Sequence, residues 1–534
     1  MQISDSIKDL YLRLIAIQQT ETPIPEAEPR VEVDAIIGKL ALVYEKIRNT
    51  MDYQEDHLLR RFAIERNLKR RIILESLSPK ISRQIVEELI RSGYLKNNEV
   101  PESVVPTIST ILNKYSYLVD LVSEGVDDGS LRRKILDWIA GICACEIDLL
   151  FTPELRSDAL IETLYAIIRD RIKLAGGDLS SREKNIQLYI TLHMELVKSD
   201  HPIIAYHLFN LYFPDWKKAD KRLVEYVASK ITSVYHGIQE HINNPVRLKL
   251  GKSLKKPIVV FKVLKELINR NNDDLVKLFG EPEYLETEAR IVVEKLNHSI
   301  RKKLRRSSVR AIIYIFITKV LLAFLLEYPY DLLTLGYVNY VPLFINIIFP
   351  PMLMFFVTLS ARIPGQQNTK VIVAEIKKLV YGEPENEILC RLKVPRKQGP
   401  VYYFFEYLFY VSLYAFIFGI ISYLLGRLSF NLLSGAIFLF FITAVSFFGS
   451  RIRQITREYD VMKSKEGVMS YIFTFLSLPI VRVGQWFSVN MRRINLFVFI
   501  FDFIIEAPFK LLIESIEGWF AFLREKKDEV YKNT

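Results

Sequence analysis

The chain has 534 residues, 50% of them hydrophobic and 25% charged, with a mean hydropathy slightly above zero and a formal net charge of +11. These figures exclude an intrinsically disordered chain, which is poor in apolar residues, and a small disulfide scaffold, which is short and cysteine-rich where this chain has 3 cysteines. The charge is unevenly spread: residues 1–310 carry 49 Lys and Arg against 44 Asp and Glu, whereas residues 311–534 carry only 23 against 17 and hold nearly all the long apolar runs. The second part therefore reads as a membrane domain.

The first residues include Asp5, Lys8, Asp9 and Arg13 and lack the apolar core of a secretory signal, so the first span is expected to target the chain. A short first helix and the proline-rich linker ETPIPEAEPR occupy 1–30. Residues 31–300 read as a cytosolic helical domain, a bundle or a loose solenoid of helix pairs, inside an all-α chain. Helix boundaries are written locally: Ser180 with Glu183 forms a capping box, Thr152 before Pro153 reads as a cap, and Gly125 with Asp127-Asp128-Gly129 reads as a turn.

Catalytic signatures fail within this domain. None of His57, His193, His201, His207, His236, His241 and His298 belongs to a zinc-binding spacing, and each is expected to be structural. Gly251-Lys252-Ser253 resembles the end of a phosphate-binding loop, but Val246 stands where the first glycine is required. Cys143 and Cys145 form no second metal pair and read as buried, reduced thiols on a helix. No cofactor is called for, and the sequence leans away from an enzyme.

No proline or glycine interrupts residues 283–326, which predicts one helix running from the cytosolic domain into the membrane. It carries the densest basic run, Arg301, Lys302, Lys303, Arg305, Arg306 and Arg310, placed to meet anionic headgroups; its juxtamembrane position favours lipid over nucleic acid as the partner. The membrane domain, 301–449, is expected to hold four transmembrane helices at about 309–327, 341–360, 401–425 and 430–449, each long enough for a bilayer that needs ~20 apolar residues. The loop 327–340 has no Lys or Arg, whereas the loop 361–400 has eight and 450–467 has five. By the positive-inside rule, both termini and the 361–400 loop lie in the cytoplasm, which suits a bacterial-type inner or plasma membrane.

Three features of the spans invite a functional reading. Lys319 and Glu406 are charges inside apolar runs, either a mutual pair or parts of an ion path. Pro350 and Pro351 interrupt the second span. Ser412, Ala415, Gly419, Ser422 and Gly426 form a seam of small residues on the third, suited to close approach by the fourth span or by a second copy in a homo-oligomer. Beyond 450, amphipathic helices are expected at the cytoplasmic face, with Asp502, Glu506, Lys510, Glu514 and Glu517 making a polar stripe. The expectation for function is a membrane-anchored scaffold whose helical domain binds a cytosolic protein partner. The competing expectations are an ion or small-solute transporter or channel using Lys319 and Glu406, and an enzyme acting on lipid without a short motif.

Overall fold

The computed structural model describes residues 3–20, 28–33, 58–74, 81–152, 155–174, 180–361, 363–382, 388–392, 399–462 and 468–493. They are helical almost throughout, as the all-α reading expects. One small exception is a parallel strand pair, Ile172–Leu174 with Cys390–Leu392, three residues each and too short to show as alternation in sequence. Two compact units are present. One contains the described residues of 5–254 and 385–394, and the other those of 1–4, 255–384 and 395–500.

In the first unit, helices of 10 to 23 residues bury a continuous core that runs from Val31 and Ile64 through Ile111, Ile139 and Phe209 to Ile242. Local sequence sets several of their ends. Asp128 caps Gly129–Phe151 by accepting from the Ser130 and Leu131 amides, Ser180 caps Ser181–Leu192 through the Glu183 amide at 3.0 Å, and Asp220 caps Lys221–Asn243 through Leu223. Glu183 does not close the expected box; its carboxylate turns to Gln187, His241 and Asn244. Thr152 ends the preceding helix and accepts from Arg60.

Two of the unit's buried polar networks tie its helices together. Arg61, 1% exposed, bridges Glu65 one turn away and Asp200, and Asp200 also caps His201–Tyr212. Glu146 accepts from Lys114 at 2.6 Å and Tyr115 at 2.8 Å, and the Trp216 indole donates to the Tyr115 hydroxyl. Cys143 and Cys145 are both buried, and burial pushes their thiols well up, which suits inert packing groups.

The second unit is organised by the helix Pro282–Leu322, unbroken over 41 residues as the sequence predicts. Its first half packs with Lys255–Arg270 and Gln366–Tyr381. Residues 255–300, which the sequence assigns to the cytosolic domain, therefore share a compact unit with the spans. Part of the basic character there is consumed internally, since Lys256 pairs with Glu375 at 2.7 Å and Lys262 with Glu458 at 3.1 Å.

Four helices are long and apolar enough to cross a membrane: the helical run from Pro282 to Thr334, then Tyr340–Leu359, Pro400–Arg427 and Leu432–Thr456. They coincide with the four expected spans. The first continues further than expected, through a π-helical turn at Ala323–Glu327 and a short helix at Tyr328–Leu335, until Gly336 stops it at φ +75°. The 361–400 segment is likewise structured, containing the helix Gln366–Tyr381 and a strand. The second span stays helical through both prolines, with Pro350 buried.

The helix Val468–Arg493 runs antiparallel alongside the fourth span, Gly484 facing Thr443 and Phe487 facing Phe440, where the sequence favours a course across the ends of the spans. The stripe Asp502, Glu506, Lys510, Glu514 and Glu517 lies outside the described residues.

Close approach between helices occurs at glycines other than the predicted seam. A Cβ on Gly449 would sit 2.5 Å from Val357 of the second span, and one on Gly484 would run into the Thr443 carbonyl. A Cβ on Gly419 or Gly426 would meet nothing within 4 Å. Gly449→Ala and Gly484→Ala are thus expected to lower the thermal midpoint of the detergent-solubilised chain, each by about 1–3 kcal/mol of overpacking, while Gly419→Ala leaves it in place. Equal midpoints for all three would contradict this assignment of contacts.

Candidate functional site

Among the described residues of the second unit, buried polar chemistry concentrates on Lys319. An α-helix advances ~100° per residue, so a group eight positions on would point about 80° away from the lysine. The π-helical turn at Ala323–Glu327 absorbs roughly one extra residue, which brings Glu327 back to nearly the same face. Lys319 and Glu327 form an ion pair at 3.4 Å, with exposures of 0% and 1%.

A single pair at this depth leaves donors and lone pairs over, and Asn346 of the second span takes them. Its Oδ1 accepts from Lys319 Nζ at 2.9 Å, while its Nδ2 donates to Glu327 Oε2 at 2.7 Å and to the Ser434 carbonyl of the fourth span at 3.0 Å. The Phe441 ring of the fourth span lies under the ammonium, its centroid 4.6 Å from Nζ. Three spans thus converge on one lysine.

A second polar clasp lies one turn further along. Asp331, 3% exposed, accepts from the Asn431 side chain and from the Asn339 amide at 3.1 Å. Asn431 in turn caps the fourth span through the Ser434 amide at 2.7 Å, and Asn339 donates to the Ser429 carbonyl. The two clasps share Ser434, which joins them into a continuous polar seam between the first, second and fourth spans.

The other sequence candidates are placed differently. Glu406 is exposed on the third span, and the described partners of Lys319 are Glu327 and Asn346. The seam residues Ser412, Ala415, Gly419, Ser422 and Gly426 are all exposed, and along the whole helix Pro400–Arg427 only Ile417 and Leu425 are buried. Arg301, Lys302, Lys303, Arg305, Arg306 and Arg310 are all exposed along the long helix, on the turns that lead into the first span.

One constellation in the helical unit has no sequence signature. Asp158, His193 and His207, from three separate stretches, bring one ligand atom each to within 4.8 Å of one another. The imidazole rings of His193 and His207 lie 4.5 Å apart, and Tyr189 packs on His193 at 4.3 Å. Burial, then the neighbouring His207, pulls His193 down to about 3, and burial with Lys217 pulls His207 down to about 4. Burial and Glu162 push the Asp158 carboxyl up to about 6. Only the fold assembles these three groups, so no local spacing announces them.

No family model, curated protein or solved structure matches the chain. The functional reading therefore rests on the geometry.

The Lys319 network generates a direct energetic expectation. Removing one partner strands the other's charge, so Lys319→Met or Glu327→Gln alone should destabilise the fold by about 3–5 kcal/mol. The double replacement should cost clearly less than the sum of the two, because the stranded charge is gone. Thermal or denaturant unfolding of the four proteins in one detergent reads the coupling, and strictly additive losses would contradict a closed pair.

Proposed function

We propose that this integral membrane protein is a scaffold: its spans form a fixed anchor, and the third span and the helical unit offer surfaces to protein partners. The observation that carries this reading is the contrast between the spans. The first, second and fourth are cross-linked through Lys319, Glu327 and Asn346, whereas the third leaves its small-residue face uncovered by any described residue. Small residues suit helix association inside lipid, where apolar side chains gain nothing by leaving the bilayer for one another. The occupant of that face in this reading is the third span of a second copy, and the helical unit supplies the site for a cytosolic protein.

The exposed run from Arg301 to Arg310 fits a cytoplasmic leaflet bearing anionic headgroups, worth about 1 kcal/mol per residue near the surface. That placement puts the residues before the first span in the cytoplasm of a bacterial-type inner or plasma membrane, with the turns near 336 and 429 outside. A second reading, transport of an ion or small solute, is favoured by the opposite charges of Lys319 and Glu327 buried among the spans. The saturation of the lysine by Asn346, Glu327 and the Phe441 ring speaks for the anchor instead.

Cysteine cross-linking in native membranes tests the scaffold reading. A Gly419→Cys chain is expected to form a disulfide-linked dimer on oxidation, and a Leu424→Cys chain, exposed but about 140° away round the helix, far less; equal or no cross-linking at both positions would sink the proposed contact. Purified wild type in liposomes is expected to show no ion or solute flux, and a flux abolished by Lys319→Met would promote transport. Reporter fusions at 335 and 428 should give external signals; cytoplasmic signals at both would reverse the topology.

A further inference from the structure

We propose that Asp158, His193 and His207 form a binding site for one divalent first-row transition ion of the zinc class. The site is independent of the scaffold reading and lies wholly in the helical unit.

The donor set comes first. Two imidazoles and a carboxylate are what zinc and its neighbours take, whereas calcium and magnesium select oxygen ligands alone. Asp158 lies on Leu155–Ile168, His193 opens the π-helical turn His193–Val197 that follows Ser181–Leu192, and His207 lies on His201–Tyr212. Three helical segments therefore fix the three donors, an arrangement more rigid than any one loop supplies.

Distances come next. Ligand atoms on a tetrahedral zinc, with bonds of about 2.0–2.1 Å, stand roughly 3.3 Å apart. The three donor atoms here all lie within 4.8 Å of one another, so a contraction of about 1.5 Å at most, within the reach of side-chain rotation, brings them onto one ion. The π-helical turn contributes by widening the helix at His193, a distortion that recurs at functional positions.

The surroundings supply the rest. His193 is 1% exposed, and its Nδ1 has no hydrogen-bond partner among the described residues, an uncompensated buried nitrogen that costs free energy unless something binds there. Asp158 and His207 are only half-buried, which leaves an entry side and a position for water as the remaining ligand. The charges acting on the trio are Glu162, raising the Asp158 carboxyl, and Lys217, an exposed cation acting on both Asp158 and His207.

The test uses the full chain without an affinity tag, stripped with chelator and titrated in detergent with Co2+, then Zn2+. One Co2+ per chain is expected, with the visible d–d absorption of a low-coordinate nitrogen and oxygen site, displaced by Zn2+ and untouched by excess Mg2+. Asp158→Asn and His207→Gln should each weaken the binding by about tenfold or more while helicity by circular dichroism is kept, and Lys217→Met should strengthen it. Absence of stoichiometric Co2+ and Zn2+ binding by the wild type overturns the site, as does unchanged affinity in both folded ligand variants, which would place the ion on other histidines. If the ligand variants lose helicity, the wild type with Lys217→Met decides: tighter binding in the latter supports the site, and equal binding overturns it.

Discussion

A lysine inside an apolar helix has to be compensated or expelled, and the arrangement of the membrane unit follows from how Lys319 is compensated. Its ammonium is fully buried and meets a carboxylate eight residues along its own helix, an amide from the second span and an aromatic face from the fourth. Desolvating two charges costs several kcal/mol each, and mutual attraction offsets that only when the remaining hydrogen-bonding capacity is filled. Asn346 fills it on both sides of the pair and continues to the Ser434 carbonyl, so a charge that would otherwise destabilise the spans fixes their register. Such a network tolerates little sliding between the three helices, which suits an anchor better than a moving element.

The other contacts of this unit follow from that fixed register. With the first, second and fourth spans held together, Gly449 admits Val357 and Gly484 admits the Thr443 backbone, each at a distance no side chain would allow. The third span takes no part in the network. It touches the rest through contacts such as Phe409 with Phe475 and Arg482 over Tyr410, and presents the remainder of its surface outward. An anchor with one side left open is the geometry on which the scaffold reading depends.

The extent to which this was legible in the sequence depended on whether a feature is local. The four spans were legible because each is a contiguous apolar run, and the long helix was legible because no proline or glycine breaks it. Lys319 stood out as a charge in such a run, but its partner did not: Glu327 falls at the edge of an apolar stretch, and only the π-helical turn, invisible to a 3.6-residue periodicity, returns it to the lysine's face. Asn346 is a lone polar residue in an apolar run, with nothing nearby to mark what it meets. Glu406 was the mirror case, conspicuous in sequence and exposed in the structure. The small-residue spacing on the third span was real as a pattern, yet spacing says that a helix can be approached and not by what. Asp158, His193 and His207 were beyond sequence reasoning altogether, since tertiary packing alone unites them.

If the polar network around Lys319 is closed and static, no water reaches its interior from either side of the membrane. Ala323, 2% exposed, lies in the π-helical turn between Lys319 and Glu327 and contributes no side-chain hydrogen bond to the network, so cysteine there is a small change. The decisive measurement is the reaction of Ala323→Cys, in a chain with Cys143 and Cys145 replaced by alanine and Cys390 by serine, with water-soluble thiol reagents added from either side of native membrane vesicles. A closed network gives no labelling from either side in the folded protein and full labelling after denaturation. Rapid labelling from one or both sides of the intact membrane would show a water-accessible path through the spans and contradict it.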